Sequence, residues 1–106
     1  MKKITIVGAG SWGTTLAVLV GEKKYDVTIW VREKELVEII KKEKENKWFL
    51  PGINIPDNVK VTDSLQSAVS DAELIIMAVP SQFIRGVAKE ISQYVSEPLV
   101  VVDVAK

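Results

Sequence analysis

Apolar residues along the chain follow two alternating rhythms. Short β-branched runs bounded by turn-forming residues lie at Ile4–Val7, Val27–Val31, Val59–Thr62, Leu74–Val79 and Leu99–Val104. Most are almost continuously apolar rather than alternating, as in parallel strands covered on both faces. Between them the spacing becomes helical. Gly13–Lys24 predicts an apolar helix with Leu16, Ala17, Leu19 and Val20 toward the sheet. Lys34–Lys47 carries Leu36, Val37, Ile39 and Ile40 on one stripe and a Lys/Glu-rich opposite face. Leu65–Ser70 predicts a short helix capped by Asp63 or Ser64. Ser81–Val95 is the clearest helix, with Ile84, Val87, Ala88, Ile91, Tyr94 and Val95 at the i, i+3, i+4, i+7 spacing. The order βαβ(α)βαβαβ, with right-handed crossovers, predicts a doubly wound parallel α/β sheet.

One stretch breaks the rhythm. Residues Trp48 to Asn58 hold two prolines and a glycine, which argue against regular structure. They also hold too many large apolar side chains for a mere tether. The preceding run, Lys41–Lys47, mixes both signs of charge and reads as a solvated helix face.

Composition narrows the chemistry. At 106 residues the chain is long enough for one packed core and too short for two, so 1–106 reads as a single domain. Fourteen Lys and Arg balance fourteen Asp and Glu, leaving no global field to attract nucleic acid or an anionic membrane. An anionic ligand must therefore be held by a local device. The chain has neither Cys nor His, which removes disulfides, thiolate metal sites and the commonest general base. No metal site is expected, and proton transfer near neutral pH would fall to a Lys or a carboxylate. The opening Met1-Lys2-Lys3-Ile4-Thr5-Ile6-Val7 is charged like a signal peptide, but glycines cut its apolar run short. With no run approaching about 18 apolar residues there is no membrane span, and a cytoplasmic protein is expected.

The local device is Gly8-Ala9-Gly10-Ser11-Trp12-Gly13. A lone G-x-G-x-x-G says little, but here a β-branched strand runs into it and a helix begins within it, as in Rossmann-like dinucleotide-binding domains. Gly8 permits the tight turn, Gly10 lets the backbone approach a pyrophosphate, and Gly13 allows the helix close to the sheet. Ser11 and Trp12 would present first-turn N–H groups to the phosphates, with the helix dipole behind them. The end of the second strand bears on the cofactor. An NAD-selecting carboxylate is expected about 20 residues past the loop, but the chain reads Ile29-Trp30-Val31-Arg32-Glu33. Arg32 can pair with the 2′-phosphate of NADP, lie against adenine, or pair with Glu33 or Glu35. NADP(H) is favoured and NAD(H) stays open. A second constellation, Met77-Ala78-Val79-Pro80-Ser81-Gln82-Phe83, should wall the cleft at the topological switch point, with Pro80 stopping the strand and Ser81 capping the helix. Phe83, Trp48 and Phe49 could serve as cofactor walls or as core, with core favoured for Trp48.

These residues together resemble a known family. Gly8-Ala9-Gly10-Ser11-Trp12-Gly13-Thr14-Thr15-Leu16-Ala17, Trp30-Val31-Arg32, Phe49-Leu50-Pro51, Val79-Pro80-Ser81-Gln82 and the terminal Asp103-Val104-Ala105-Lys106 are similar to the N-terminal domain of bacterial NAD(P)-dependent glycerol-3-phosphate dehydrogenase. The resemblance implies reversible reduction of dihydroxyacetone phosphate to sn-glycerol 3-phosphate, a precursor for phospholipid synthesis. It implies cofactor contacts from Ser11, Trp12 and Arg32, walls from Phe49 and Phe83, and a Lys106 that reaches both cofactor and substrate. Family members continue into a helical domain that supplies the proton-donating Lys and the phosphate-binding residues, and this chain stops at Lys106. The expectation is therefore a cofactor-binding domain that lacks catalytic residues and does not turn over substrate alone. Self-association, as a homodimer, is open. Competing readings are a dehydrogenase of the ketopantoate reductase or 6-phosphogluconate type and a nucleotide-sensing regulatory domain without catalysis.

Overall fold

The computed structural model describes residues 3–95 and the backbone strand 100–103. Strands β1 (Lys3–Val7), β2 (Asp26–Trp30), β3 (Val59–Thr62), β4 (Leu74–Met77) and β5 (Val100–Asp103) alternate with helices α1 (Ser11–Glu22), α2 (Lys34–Glu43), α3 (Leu65–Val69) and α4 (Ser81–Ser92). All neighbouring strands pair in parallel, in the order β3-β2-β1-β4-β5. This is the expected doubly wound sheet, and its order reverses between β1 and β4. Leu99 and Val104, expected at the ends of the last strand, lie outside the described residues.

The near-continuous apolar strands have a direct cause. Successive side chains on a strand point to opposite faces, and both faces here are covered. Ile6 joins Val27, Ile29, Leu36, Ile40 and Ile55 in a core on one face. Val7, the next residue, joins Leu65, Val69, Ile75, Met77 and Ile91 on the other. Ile6 and Val7 are both fully buried.

Several helix details differ from the sequence reading. In α1 the buried residues are Gly13, Thr14, Ala17, Val18 and Gly21, while Leu19 faces solvent. The cause is close approach, which small residues permit: a Cβ on Gly21 would meet Val59 Cγ2 at 2.7 Å. In α2 the expected stripe is buried through Leu36, Val37 and Ile40, but the helix ends at Glu43. Lys44 takes the left-handed conformation at φ 56°, so the chain leaves the helix axis there and Lys44–Lys47 is not a solvated helix face. For α3, the cap is Ser64, whose hydroxyl accepts from Ser67 N. At α4 the cap position is Pro80, with no side-chain cap bond, so Ser81 is the first helical residue and not the cap. On α4 the expected stripe packs on the core through buried Ile91 and half-buried Ile84 and Val87, with Tyr94 and Val95 beyond the helix end, but Ala88 is exposed; Gln82, Phe83, Gly86, Val87 and Glu90 border a cavity. Strand β4 stops at Met77; Ala78 N still donates to Val7 O at 2.8 Å, but Pro80 has no N–H to extend the ladder.

The tryptophans divide cleanly. Trp30 is 9% exposed and donates through Nε1 to Asp63 O, whereas Trp12 and Trp48 are 50% and 47% exposed. The core place expected for Trp48 is thus not taken up; from the same connection it is Ile55, 2% exposed, that joins the core.

Two measurements check this fold. Gly8 has φ +123°, and a Cβ there would lie 2.8 Å from the Ala78 carbonyl, whereas a Cβ on Gly86 in α4 meets nothing within 4 Å. Gly8→Ala is expected to cost about 2–5 kcal/mol in urea unfolding, and Gly86→Ala to be neutral or stabilising by up to about 1 kcal/mol. In a W12F/W48F variant the remaining Trp30 emission should be blue-shifted and poorly quenched by acrylamide. Strong quenching would contradict the burial of Trp30.

Candidate functional site

The carboxyl ends of β1, β2 and β4 open into a cavity of about 670 Å³ at the point where the strand order reverses. Its floor is the Gly8–Trp12 loop; Trp30, Arg32 and Glu33 flank it from the end of β2, and Phe49 enters from the connection after α2. The opposite wall is the segment after β4, with Ala78, Val79 and Pro80, followed by Gln82, Phe83, Gly86, Val87 and Glu90 of α4.

Backbone bonds fix the loop. Gly8 N donates to Trp30 O at 3.1 Å, and Thr14 N donates to Gly10 O at 3.0 Å to open α1. Gly8 and Gly13 have no room for side chains: a Cβ on Gly8 would strike the Ala78–Val79 backbone, and one on Gly13 would strike Gly8 O. Gly10 is different. A Cβ there meets nothing within 4 Å, so the backbone at Gly10 borders open space. The first turn of α1, Ser11 to Gly13, has no acidic residue to offset the positive end of the helix dipole. A bare loop backbone, open space above Gly10 and an uncompensated helix start suit a pyrophosphate.

Arg32 makes two contacts. Its guanidinium carbon lies 4.6 Å from the centroid of the Phe83 ring, and Nη2 lies 3.8 Å from Glu33 Oε2. The carboxylate pairing raised by the sequence is thus present, to Glu33, but such an exposed pair contributes little to stability. The cation–π contact joins β2 and α4 across the cavity mouth. Phe49 is 44% exposed and packs edge-to-face on Trp48, ring centroids 6.3 Å apart. Of this pair, Phe49 borders the cavity and Trp48 does not. Gly8, Gly10, Ser11, Trp12, Arg32, Phe49 and Phe83 therefore converge on one cavity, with Gly13 packed beneath it. Lys106 lies outside the described residues.

One residue at this site escaped the sequence reading. Asn46, inside the charge run, is fully buried behind the loop. Its Nδ2 donates to Ala9 O at 2.7 Å and to Thr14 Oγ1 at 2.8 Å, and its Oδ1 accepts from Phe49 N at 3.0 Å. The available signal was a single uncharged amide among Lys and Glu, a residue type favoured where a helix ends. Among the described residues no cluster of His, Cys, Asp or Glu could hold a metal ion, and no helix is long and apolar enough to cross a membrane.

Comparison with known proteins gives a consistent result. Residues 3–106 match the family model described as NAD-dependent glycerol-3-phosphate dehydrogenase N-terminus. A glycerol-3-phosphate dehydrogenase (NAD(P)+) of Bacillus licheniformis is 42% identical over 106 residues, which are 100% of this chain and 31% of that protein. Its counterpart from Fusobacterium nucleatum is 39% identical, again over 100% of this chain and 32% of the relative. The crystal structure of the Coxiella burnetii glycerol-3-phosphate dehydrogenase superposes with a TM-score of 0.93 at 28% identity, over 99% of this chain and 32% of that one. A ketopantoate reductase from Ralstonia eutropha, at 19% identity and a TM-score of 0.75, shares the fold alone. The chain thus spans about a third of the length of these glycerol-3-phosphate dehydrogenases. It belongs to the family of N-terminal, NAD(P)-binding domains of glycerol-3-phosphate dehydrogenase.

Proposed function

We propose that this chain holds NADP(H), in preference to NAD(H), for an enzyme that interconverts dihydroxyacetone phosphate and sn-glycerol 3-phosphate and so supplies phospholipid synthesis. The observation that carries the cofactor reading is the cavity floored by Gly8–Trp12 and bordered by Arg32. The preference for NADP rests on Arg32, which follows the end of β2 where an NAD-selecting carboxylate would otherwise stand. Glu33 beside it is paired to the guanidinium. The substrate assignment rests on the relatives' activity.

Each residue's part follows from its chemistry. The backbone around Gly10 and Ser11 binds the pyrophosphate, aided by the start of α1. Arg32 offers a planar fork for a 2′-phosphate. Phe83 and Phe49 supply apolar walls that exclude water from the bound cofactor. We assign Lys106 to both cofactor and substrate, and the whole span 1–106 to one cofactor-binding domain. When bound, the nicotinamide supplies the hydride for the substrate's C2. The described cavity lining holds no Lys, His, Cys or Tyr, and its two glutamates, Glu33 and Glu90, stand on the β2–α4 side with Arg32. Proton donation to the substrate therefore needs residues beyond this lining; a chain that binds cofactor without turning over substrate alone is the reading adopted for these 106 residues. A sequence without cysteine suits the reducing cytoplasm.

Calorimetric titration with NADPH and NADH tests the cofactor assignment. Wild type should bind both, NADPH more tightly. Arg32→Ala should weaken NADPH about 10- to 100-fold and NADH by less than about threefold. Equal losses would put the guanidinium on adenine instead of the 2′-phosphate. Absence of binding by wild type would end the cofactor reading for this chain. In a second experiment, mixing the chain with NADPH and dihydroxyacetone phosphate should give no NADPH oxidation above background. Clear turnover would show that the proton donor lies within these residues.

A further inference from the structure

Asn46 stands out as an uncharged polar side chain fully buried at the back of the site, with every hydrogen-bonding group of its amide engaged. Both Nδ2 hydrogens are used, on Ala9 O at 2.7 Å and Thr14 Oγ1 at 2.8 Å. Thr14 Oγ1 in turn donates to the same Ala9 O, at 3.3 Å. Two donors thus converge on one carbonyl in the middle of the phosphate loop. Ala9 O belongs to the peptide unit whose N–H is that of Gly10, and no peptide bond among the described residues is cis. In a trans peptide the C=O and N–H point in opposite directions. Anchoring Ala9 O inward on Asn46 consequently turns the Gly10 N–H outward, on the side where Gly10 borders the cavity.

We infer that Asn46 is a positioning residue: it sets the Ala9–Gly10 peptide so that the Gly10 N–H faces a pyrophosphate, and through Phe49 N it sets the neighbouring aromatic wall in the same act. The inference deepens the proposed cofactor reading and rests on it. Without Asn46 the Ala9–Gly10 peptide keeps only the longer Thr14 bond, and flipping it would aim a carbonyl instead of an N–H at the phosphates. Electrostatic repulsion would then replace a hydrogen bond. The residue touches no ligand itself. Its effect should be common to every pyrophosphate-bearing ligand and indifferent to the 2′-phosphate, which distinguishes it from Arg32.

The test uses ¹⁵N-labelled chain titrated with NADPH and with NADH. In wild type, NADPH should move the Gly10 amide proton downfield. Asn46→Ala should weaken both cofactors by the same factor, about tenfold. At saturation the Gly10 shift should be lost while Gly86, on the α4 wall, still responds. Asn46→Asp keeps an acceptor for Phe49 N but cannot donate to Ala9 O. It should behave like Asn46→Ala, whereas a residue that merely supported Phe49 would be rescued by Asp. Wild-type behaviour of either folded variant, in affinity and in the Gly10 shift, overturns the inference and leaves the cofactor reading standing. Failure of wild type to bind either cofactor removes both. Should both variants unfold, the wild type still decides. The Asn46 Nδ2 protons must be protected from exchange and the Gly10 amide must shift with NADPH; absence of either result overturns the inference.

Discussion

The β1–α1 turn runs so close to β4 that backbone meets backbone. Gly8, at φ +123°, lies against the Ala78–Val79 peptide with no space for a Cβ, and Gly13 lies against Gly8 O. Everything at the site depends on this approach. It lets Ala78 N reach Val7 O, keeping β1 and β4 paired up to the point where their connections diverge. It also brings the start of α1 to the sheet edge, so that the first helical turn opens on the cavity instead of on solvent alone. Larger residues at either glycine would separate the turn from β4 and widen the cleft that the loop is shaped to floor.

The sequence made the architecture legible because the main determinants are local or periodic. Glycines at fixed offsets after a β-branched strand and strands buried on both faces leave unambiguous marks. The losses have physical causes. α1 is apolar nearly all round, so its pattern could not choose between Leu19 and Val18; the choice fell to the small residues that allow close packing. For Trp48 core was favoured over cofactor wall, but it is exposed and Ile55 of the same connection is the buried residue. Asn46 was invisible for a different reason. Its partners Ala9 and Thr14 are more than thirty residues away along the chain, and its own neighbours, Lys and Glu, suggest a solvated face. A buried amide that donates to a distant carbonyl and a distant hydroxyl leaves no periodic trace.

Electrostatically, zero formal net charge does not prevent a local positive region at the cavity. The attraction is assembled from parts that cancel elsewhere: a helix start without acidic residues, and an arginine held between an aromatic face and Glu33. Glu33 tempers the guanidinium without burying it.

The strand order has a bearing on how the molecule is made. Ile4 pairs with Val27, nearby in sequence, and also with Leu74, far along the chain. The half built from β1, α1, β2, α2 and β3 closes through shorter loops and encloses its own core around Ile6, Ile29 and Leu36, whereas the β1–β4 seam needs a much longer closure. The cavity straddles the seam, with the phosphate loop on one side and the α4 wall on the other. A ligand held in that cavity would bridge the two sides of the seam and so favour the docked state.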